Sequence, residues 1–327
     1  MNPRLVYFFL VLTFKLSSQE VYQRSFTKMG SDFELTIVAD NPKSGEQLLA
    51  EGTAEIDRIE RLISSWDPAS ETSEVNRMAG IAPVIVSEEL FNLVQRAIAL
   101  SHLTDGAFDI SYASVDPFWT FNGQKVTPPN PEDIKRSVAK IGFQKVKINP
   151  KESSIYLPEK GMKLGFGAIG KGYAADKVKQ LLQTKGVKGG IVNASGDLSA
   201  WGTQPDGSSW QVGLVNPKNK NKVFAWFPIQ DKAVVTSGDY ERFLIMEGKR
   251  YGHIINPRTG YPSQGVISCT VFAPKAELAD ALATALFVLG VENGLYFVNQ
   301  LPEVEAILID EEGKLHSSNN IEVDETI

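Results

Sequence analysis

The sequence predicts an α+β fold. Helical and strand periodicities are intermixed along the chain. Residues 190–272 read as short strands divided by turn signals such as Pro205-Asp-Gly207 and Glu247-Gly248, and a strongly apolar helix follows from Ala276. A regularly alternating parallel sheet would set a helix after each strand and would not leave so long a strand-only run.

Taken in order, the alternation of Phe33, Leu35 and Ile37 predicts a strand. Leu49, Ile56, Ile59 and Ile63 then recur on one side of a helix. Ser87 before Glu88 and Glu89 predicts a second helix start, with Leu90, Phe91, Val94, Ile98 and Leu100 apolar and an end before Asp105-Gly106. Thr127-Pro-Pro-Asn-Pro131 opens a short helix with Pro131 at its first position and Gly142 past its end. Strands are expected around 146–148 and 154–157. A further strand at Met162-Lys-Leu164 leads through a glycine-rich turn into a helix over 172–184, which buries Ala175, Val178 and Leu182 and stops at Gly186. The last helix is predicted over 276–289. Residues 306–309 and 314–316 then form a closing hairpin, and the polar residues from Ser317 onward are expected to fray.

Composition excludes whole classes of function. Lys and Arg number 33 against 39 Asp and Glu, a net charge of −6, so the chain lacks the basic balance of a nucleic-acid binder. With 43% hydrophobic and 22% charged residues it is globular rather than disordered. Cys269 is the only cysteine, which excludes an intramolecular disulfide and a cysteine-rich metal site; its alternating apolar surroundings predict a buried strand position. At the N-terminus, Arg4 precedes a short apolar run, Leu5 to Phe14, and then Lys15-Leu-Ser-Ser18. That run is shorter than the ~20 residues of a membrane-spanning helix and fits a secretory signal peptide over 1–18. The expected mature protein begins near Gln19 and is soluble and exported. It carries no cysteine after the leader for lipid attachment, and no other segment is expected to span a membrane.

Four polar constellations carry the candidate chemistry. Gly165-Phe-Gly-Ala-Ile-Gly170 matches a dinucleotide fingerprint, but the acid expected roughly 20 residues on is replaced by Lys188-Gly-Gly190. Gly165 to Lys171 also matches part of a P-loop, with Gly172 where a Ser or Thr would hold magnesium. Common to both is a helix N-terminus whose amides suit a phosphate or another anion; a tight turn with no ligand is the plain alternative. Second, Asp280 and Thr284 lie one above the other on an otherwise apolar helix, as oxygen ligands for Mg²⁺ or as a simple hydrogen-bonded pair. Third, Arg250-Tyr-Gly-His-Ile-Ile-Asn-Pro-Arg-Thr-Gly-Tyr-Pro262 presents His253 as a possible general base and Arg258 as a possible anion clamp, whereas His102 and His316 read as structural. Fourth, Asn193-Ala-Ser-Gly-Asp197 and Thr236-Ser-Gly-Asp-Tyr240 are polar turns; Ser237 lacks the G-x-S-x-G context of a serine hydrolase.

With Met29-Gly30, Ser64-Ser-Trp-Asp67, Ser73, Asn76, Gly106-Ala-Phe-Asp109 and Ala279-Asp-Ala-Leu-Ala-Thr284, these segments stand in an order that resembles the ApbE family of flavin transferases, from about Met29 to Gly290. The resemblance implies an ApbE-like (T-fold-like) single catalytic domain over 19–327, with mixed, mostly antiparallel sheets flanked by helices. It implies Mg²⁺-dependent transfer of the FMN moiety of FAD to a Thr or Ser hydroxyl of a partner redox protein, releasing AMP. Hydrolysis of FAD to FMN and AMP, or flavin binding without turnover, are the alternatives. By the same resemblance Met29, Trp66, Ala107, Phe108, Asp109, Lys171 and Ile254 line the FAD site, Ala168 (through its carbonyl), Asp280 and Thr284 hold Mg²⁺, and His253 is the catalytic base. The acceptor is expected to be a membrane-associated redox subunit and the compartment the periplasm. Three positions depart from the family pattern: Gly165 replaces an acidic residue that touches FAD, Asn256 replaces an aspartate, and Trp66 replaces a common tyrosine.

Overall fold

The structure, a computed structural model, describes residues 19–217, 219–238 and 242–321. The expected leader, Asp239, Tyr240 and the last six residues lie outside the described residues. The chain runs β1 (Glu20–Lys28), β2 (Ser31–Ala39), α1 (Pro42–Ile63), α2 (Glu71–Arg77), β3 (Val84–Ile85), α3 (Glu88–Leu103), α4 (Pro131–Val138), β4 (Lys147–Asn149), β5 (Ser154–Tyr156) and α5 (Gly170–Thr184). It continues with β6 (Gly190–Ala194), β7 (Asp197–Trp201), β8 (Trp210–Asn216), β9 (Asn219–Ile229), β10 (Ala233–Gly238), β11 (Phe243–Met246), β12 (Lys249–Gly252), β13 (Val266–Ala273), α6 (Ala276–Val298), β14 (Glu305–Asp310) and β15 (Leu315–Ser317).

Eight strands build the main sheet in the order β1-β2-β6-β7-β10-β13-β14-β15, every neighbouring pair antiparallel. Because side chains alternate along a strand, each strand feeds two cores. Val235 of β10 and Val271 of β13 face α1, α5 and α6, whereas Val234 and Phe272 face the β8–β9 hairpin. Leu49, Ile56, Val178 and Leu182 meet on the helical side with no exposed surface, each contributing roughly 1.5–3 kcal/mol by burial. A third apolar cluster gathers α3, residues 107–110 and residues 162–169 around Phe108 and Leu164, and so supports the glycine-rich turn from beneath.

Local chemistry sets the helix starts where the sequence signals them. Asn41 caps α1 through the Ser44 amide, Ser87 caps α3 through Leu90, and Asn130 with Pro131 opens α4. Three expectations are corrected and one is extended. Residues 162–164 form no strand; they are an irregular segment with Met162 and Leu164 buried and Lys163 exposed, pinned by the Asn76 side chain, which exchanges two hydrogen bonds with Leu164 (2.7 and 3.0 Å). The final helix runs regularly to Leu289 as expected, Gly290 (φ 79°, ψ 178°) breaks it there, and a further helical stretch that was not foreseen continues α6 to Val298. At 23 residues with a mean hydropathy of 1.6, α6 is long and apolar enough to cross a membrane, contrary to the expectation that no later segment would be. From Ala276 to Phe287 its apolar residues are instead packed against the sheet and α5, whereas Tyr296 further along is exposed. Ser318 is not frayed but buried, its hydroxyl accepting the Ala306 amide at 3.0 Å. β1 and α2 carry no strong periodicity and were not foreseen; β1 holds its place by pairing along the whole of β2.

Candidate functional site

The site is built where α6 crosses the start of α5. A Cβ on Gly172 would lie 2.2 Å from the Ala276 carbonyl oxygen and 2.9 Å from the Asp280 Cβ, so only glycine lets the two helices meet. This contact is the physical reason that position 172 has no hydroxyl. The crossing delivers the Asp280 carboxylate to the first turn of α5, where Oδ2 accepts the Gly172 amide at 3.0 Å. The anion expected at this helix N-terminus is therefore an internal one, Asp280, rather than a ligand phosphate. Burial pushes the Asp280 carboxyl above its ordinary range; the Lys171 charge and the Gly172 and Lys171 amides oppose that shift.

Around this crossing lies a cavity of about 680 Å³, within the roughly 300–1,000 Å³ usual for ligand sites. Every residue that the resemblance assigned lines it. Met29 comes from the β1–β2 turn, with its amide donating to Glu60 Oε1 at 2.9 Å. Trp66 stands on the loop after α1 and is 92% exposed, so its ring is open to stacking. Ala107, Phe108 and Asp109 form one wall. Asp109 is itself held by three donors, the Ser111 amide (2.8 Å) and hydroxyl (2.6 Å) and the Phe143 amide (3.0 Å), so it shapes the wall rather than serving as an acid or base. Ala168 and Lys171 line the glycine-turn side, Asp280 and Thr284 the α6 side, and His253 and Ile254 the opposite rim.

Lys171 Nζ pairs with the carboxylate of Asp197, which is fully buried at the start of β7. Asn193 closes the tight turn before it by accepting the Gly196 amide at 2.9 Å. Thr284 lines the cavity, and its hydroxyl has no hydrogen-bond partner among the described residues. The simple Asp280–Thr284 hydrogen bond is thus not formed. Among the described residues no three His, Cys, Asp or Glu side chains cluster as a metal site. The Asp280 carboxylate and the Thr284 hydroxyl, with Ala168 on the same cavity, nevertheless offer hard oxygen donors of the kind Mg²⁺ takes, with water and substrate completing its shell.

The histidine loop is a rigid support. Asn256 Oδ1 accepts the Arg258 amide at 2.9 Å, its carbonyl accepts Gly260 at 2.8 Å, and Trp119 Nε1 donates to the Gly260 carbonyl at 2.8 Å. An asparagine oxygen performs this capping as an aspartate would, which accounts for its substitution here. Arg258 is not an anion clamp: its guanidinium binds the Asp105 carboxylate (2.8 Å) and carbonyl (2.7 Å), tying the loop to the turn before Ala107. His253 is exposed at the rim, with Phe121 edge-on at 6.4 Å. Gly165 is explained by space, since a Cβ there would lie 2.7 Å from that of Ala113, and no acidic side chain enters the cavity from that position. Tyr112, Glu60 and Arg242 also line the cavity and were missed. They lie in a single 3-10 turn, on the face of a long helix and beyond a strand end, where no periodicity marks them.

An antiparallel sheet backed by crossing helices, with a cavity of about 680 Å³ that combines a cation, a buried carboxylate and an exposed imidazole, is an α+β architecture with a lining suited to an enzyme site. The ApbE family model matches residues 29–308, and the chain belongs to that family. It is 33% identical over 277 residues to the FAD:protein FMN transferase of Treponema pallidum (strain Nichols), covering 80% of this chain and 76% of the relative. It is also 33% identical over 298 residues to a FAD:protein FMN transferase of Klebsiella pneumoniae (strain 342), covering 90% of each. The crystal structure of the ApbE protein of Thermotoga maritima MSB8 superposes with a TM-score of 0.85 at 29% identity, covering 92% of this chain and 97% of that one. The apo form of the Pseudomonas stutzeri flavinyl transferase ApbE gives 0.82 at 28% identity, covering 94% and 97%.

Proposed function

We propose that the protein moves the FMN half of FAD onto a threonine or serine hydroxyl of a partner redox protein in a Mg²⁺-dependent reaction, after export to the periplasm. The observation that carries this reading is the joint presence of buried Asp280, partnerless Thr284 and exposed His253 on a single cavity of about 680 Å³.

In this reading Trp66 stacks on a ring of the bound dinucleotide, Phe108 and Ile254 supply apolar wall, and Lys171 meets phosphate charge. His253 Nε2 or Nδ1 takes the proton from the incoming hydroxyl. The hydroxyl oxygen forms a bond to the FMN phosphorus, the bond from that phosphorus to the bridging oxygen breaks, and AMP leaves with the bridging oxygen. Phosphoryl-type transfer is mostly positioning and charge neutralisation, so a wall of fixed side chains is the main contribution of the protein. Mg²⁺, held by Asp280, Thr284 and the Ala168 carbonyl, would neutralise charge developing on the pyrophosphate.

Incubation with FAD, Mg²⁺ and a threonine-bearing acceptor peptide, with products identified by mass, tests the reading. FMN-peptide and AMP in equal amounts are expected. Free FMN with AMP and an unmodified peptide would make water the acceptor, and FAD left intact for days would make the protein a binding module.

A further inference from the structure

Helices α5 and α6 cap each other. Asp280 of α6 receives the Gly172 amide at the start of α5 (3.0 Å), and Asp176 of α5 receives the first amides of α6, Ala276 at Oδ1 (3.1 Å) and Glu277 at Oδ2 (3.0 Å). Neither helix has a side-chain cap from its own N-cap residue, Ile169 or Lys275. Each helix therefore depends on a carboxylate of the other for its orphan amides. Asp176 is in turn fixed by the Ser199 hydroxyl of β7, which donates to Oδ1 at 2.9 Å. It does not line the cavity.

We propose that Asp176 is a positioning residue for the Asp280–Thr284 pair. It anchors the first turn of α6 to α5 and β7, and Asp280 lies one turn further along the same helix, so the axial setting of α6 decides where both oxygen donors stand. The inference rests on the proposed Mg²⁺ reading. With Asp176 removed, the amides of Ala276 and Glu277 lose their acceptor. The first turn of α6 then loses its tie to α5 and β7 and keeps the Glu277 side chain's pair with Arg96 of α3 (2.6 and 3.0 Å), while Lys171, Trp66 and the Ala107–Asp109 wall keep their own supports.

Mn²⁺ serves as the probe, its binding to the full protein followed by electron paramagnetic resonance in wild type, Asp176→Ala, Asp176→Asn and Asp280→Ala. Metal-free FAD binding by flavin fluorescence and melting temperature are measured alongside. Loss of an outer partner of a metal site typically weakens binding about 10–100-fold, and that loss is expected for Asp176→Ala with FAD binding unchanged. Asp176→Asn keeps one acceptor oxygen and should fall between Asp176→Ala and wild type; it also carries the test if the alanine variant fails to fold. Val234→Ala, on the far face of the sheet, controls for lost stability. Should Asp176→Ala only melt earlier, as that control does, while its Mn²⁺ affinity stays at the wild-type level and Asp280→Ala loses Mn²⁺, the positioning role is overturned and the metal reading stands. Wild-type Mn²⁺ affinity in Asp280→Ala would overturn the metal reading and this proposal together.

Discussion

His253 stands at the rim of the cavity on a loop whose backbone is closed by Asn256 and tied down by Arg258 and Trp119. Its loop fixes where the imidazole stands, which in the proposed reading suits a group that must meet an incoming hydroxyl. His253→Ala is expected to lower the rate of FMN transfer to an acceptor peptide about 10²–10⁴-fold, with FAD binding retained; a fully active variant would remove the base role. Gly172 is the residue on which the α5–α6 contact depends. Gly172→Ala places a methyl against the Ala276 carbonyl and is expected to cost about 1–3 kcal/mol in chemical denaturation, as overpacking does. Residue identity singled out His253, Asp280 and Thr284, which the structure brings to one cavity. It misled on Arg258, since whether a guanidinium faces a ligand or a neighbouring carboxylate such as Asp105 depends on a chain segment about 150 residues away.

Between elements, charge pairs decide how α1, α3 and α5 are held together. Glu89 of α3 binds Arg58 of α1 (2.6 and 2.9 Å) and the Tyr173 hydroxyl of α5 (2.6 Å). The Arg58 hydrogen bonds, aided by Tyr173 and opposed by burial, lower the Glu89 carboxyl from 4.5 to about 2. A carboxylate depressed in the folded state adds stability above its unfolded pKa and loses it as pH falls toward the folded value. The melting temperature of wild type should therefore drop more steeply than that of Glu89→Gln between about pH 4.5 and about 2, and the two should converge at the acid end. Parallel curves would contradict the linkage. The helices with apolar stripes and capping residues were legible at this scale. α2 and β1 were not, because a seven-residue polar helix and an edge strand owe their form to partners. The second helical stretch of α6, beyond the break at Gly290, was also hidden.

Across the whole molecule, the cavity draws on Met29 near one end of the sequence and Thr284 near the other, with the glycine turn between them. An antiparallel sheet allows this, because β2, β6, β7, β10 and β13 lie side by side and return to one edge of the site turns that are distant in sequence. Periodicity alone gives the α+β class but not which turns meet; the joint order of the motifs was the only guide to their assembly. In the proposed reading the metal donors act only as part of the assembled cavity, with Asp280 at their centre. The most direct measurement is the Mg²⁺ dependence of FMN transfer from FAD to an acceptor protein, followed by intact mass for wild type and Asp280→Ala. Loss of activity in the variant, with no further response to added Mg²⁺ or EDTA, is the predicted result. Undiminished Mg²⁺-dependent transfer by Asp280→Ala would contradict it.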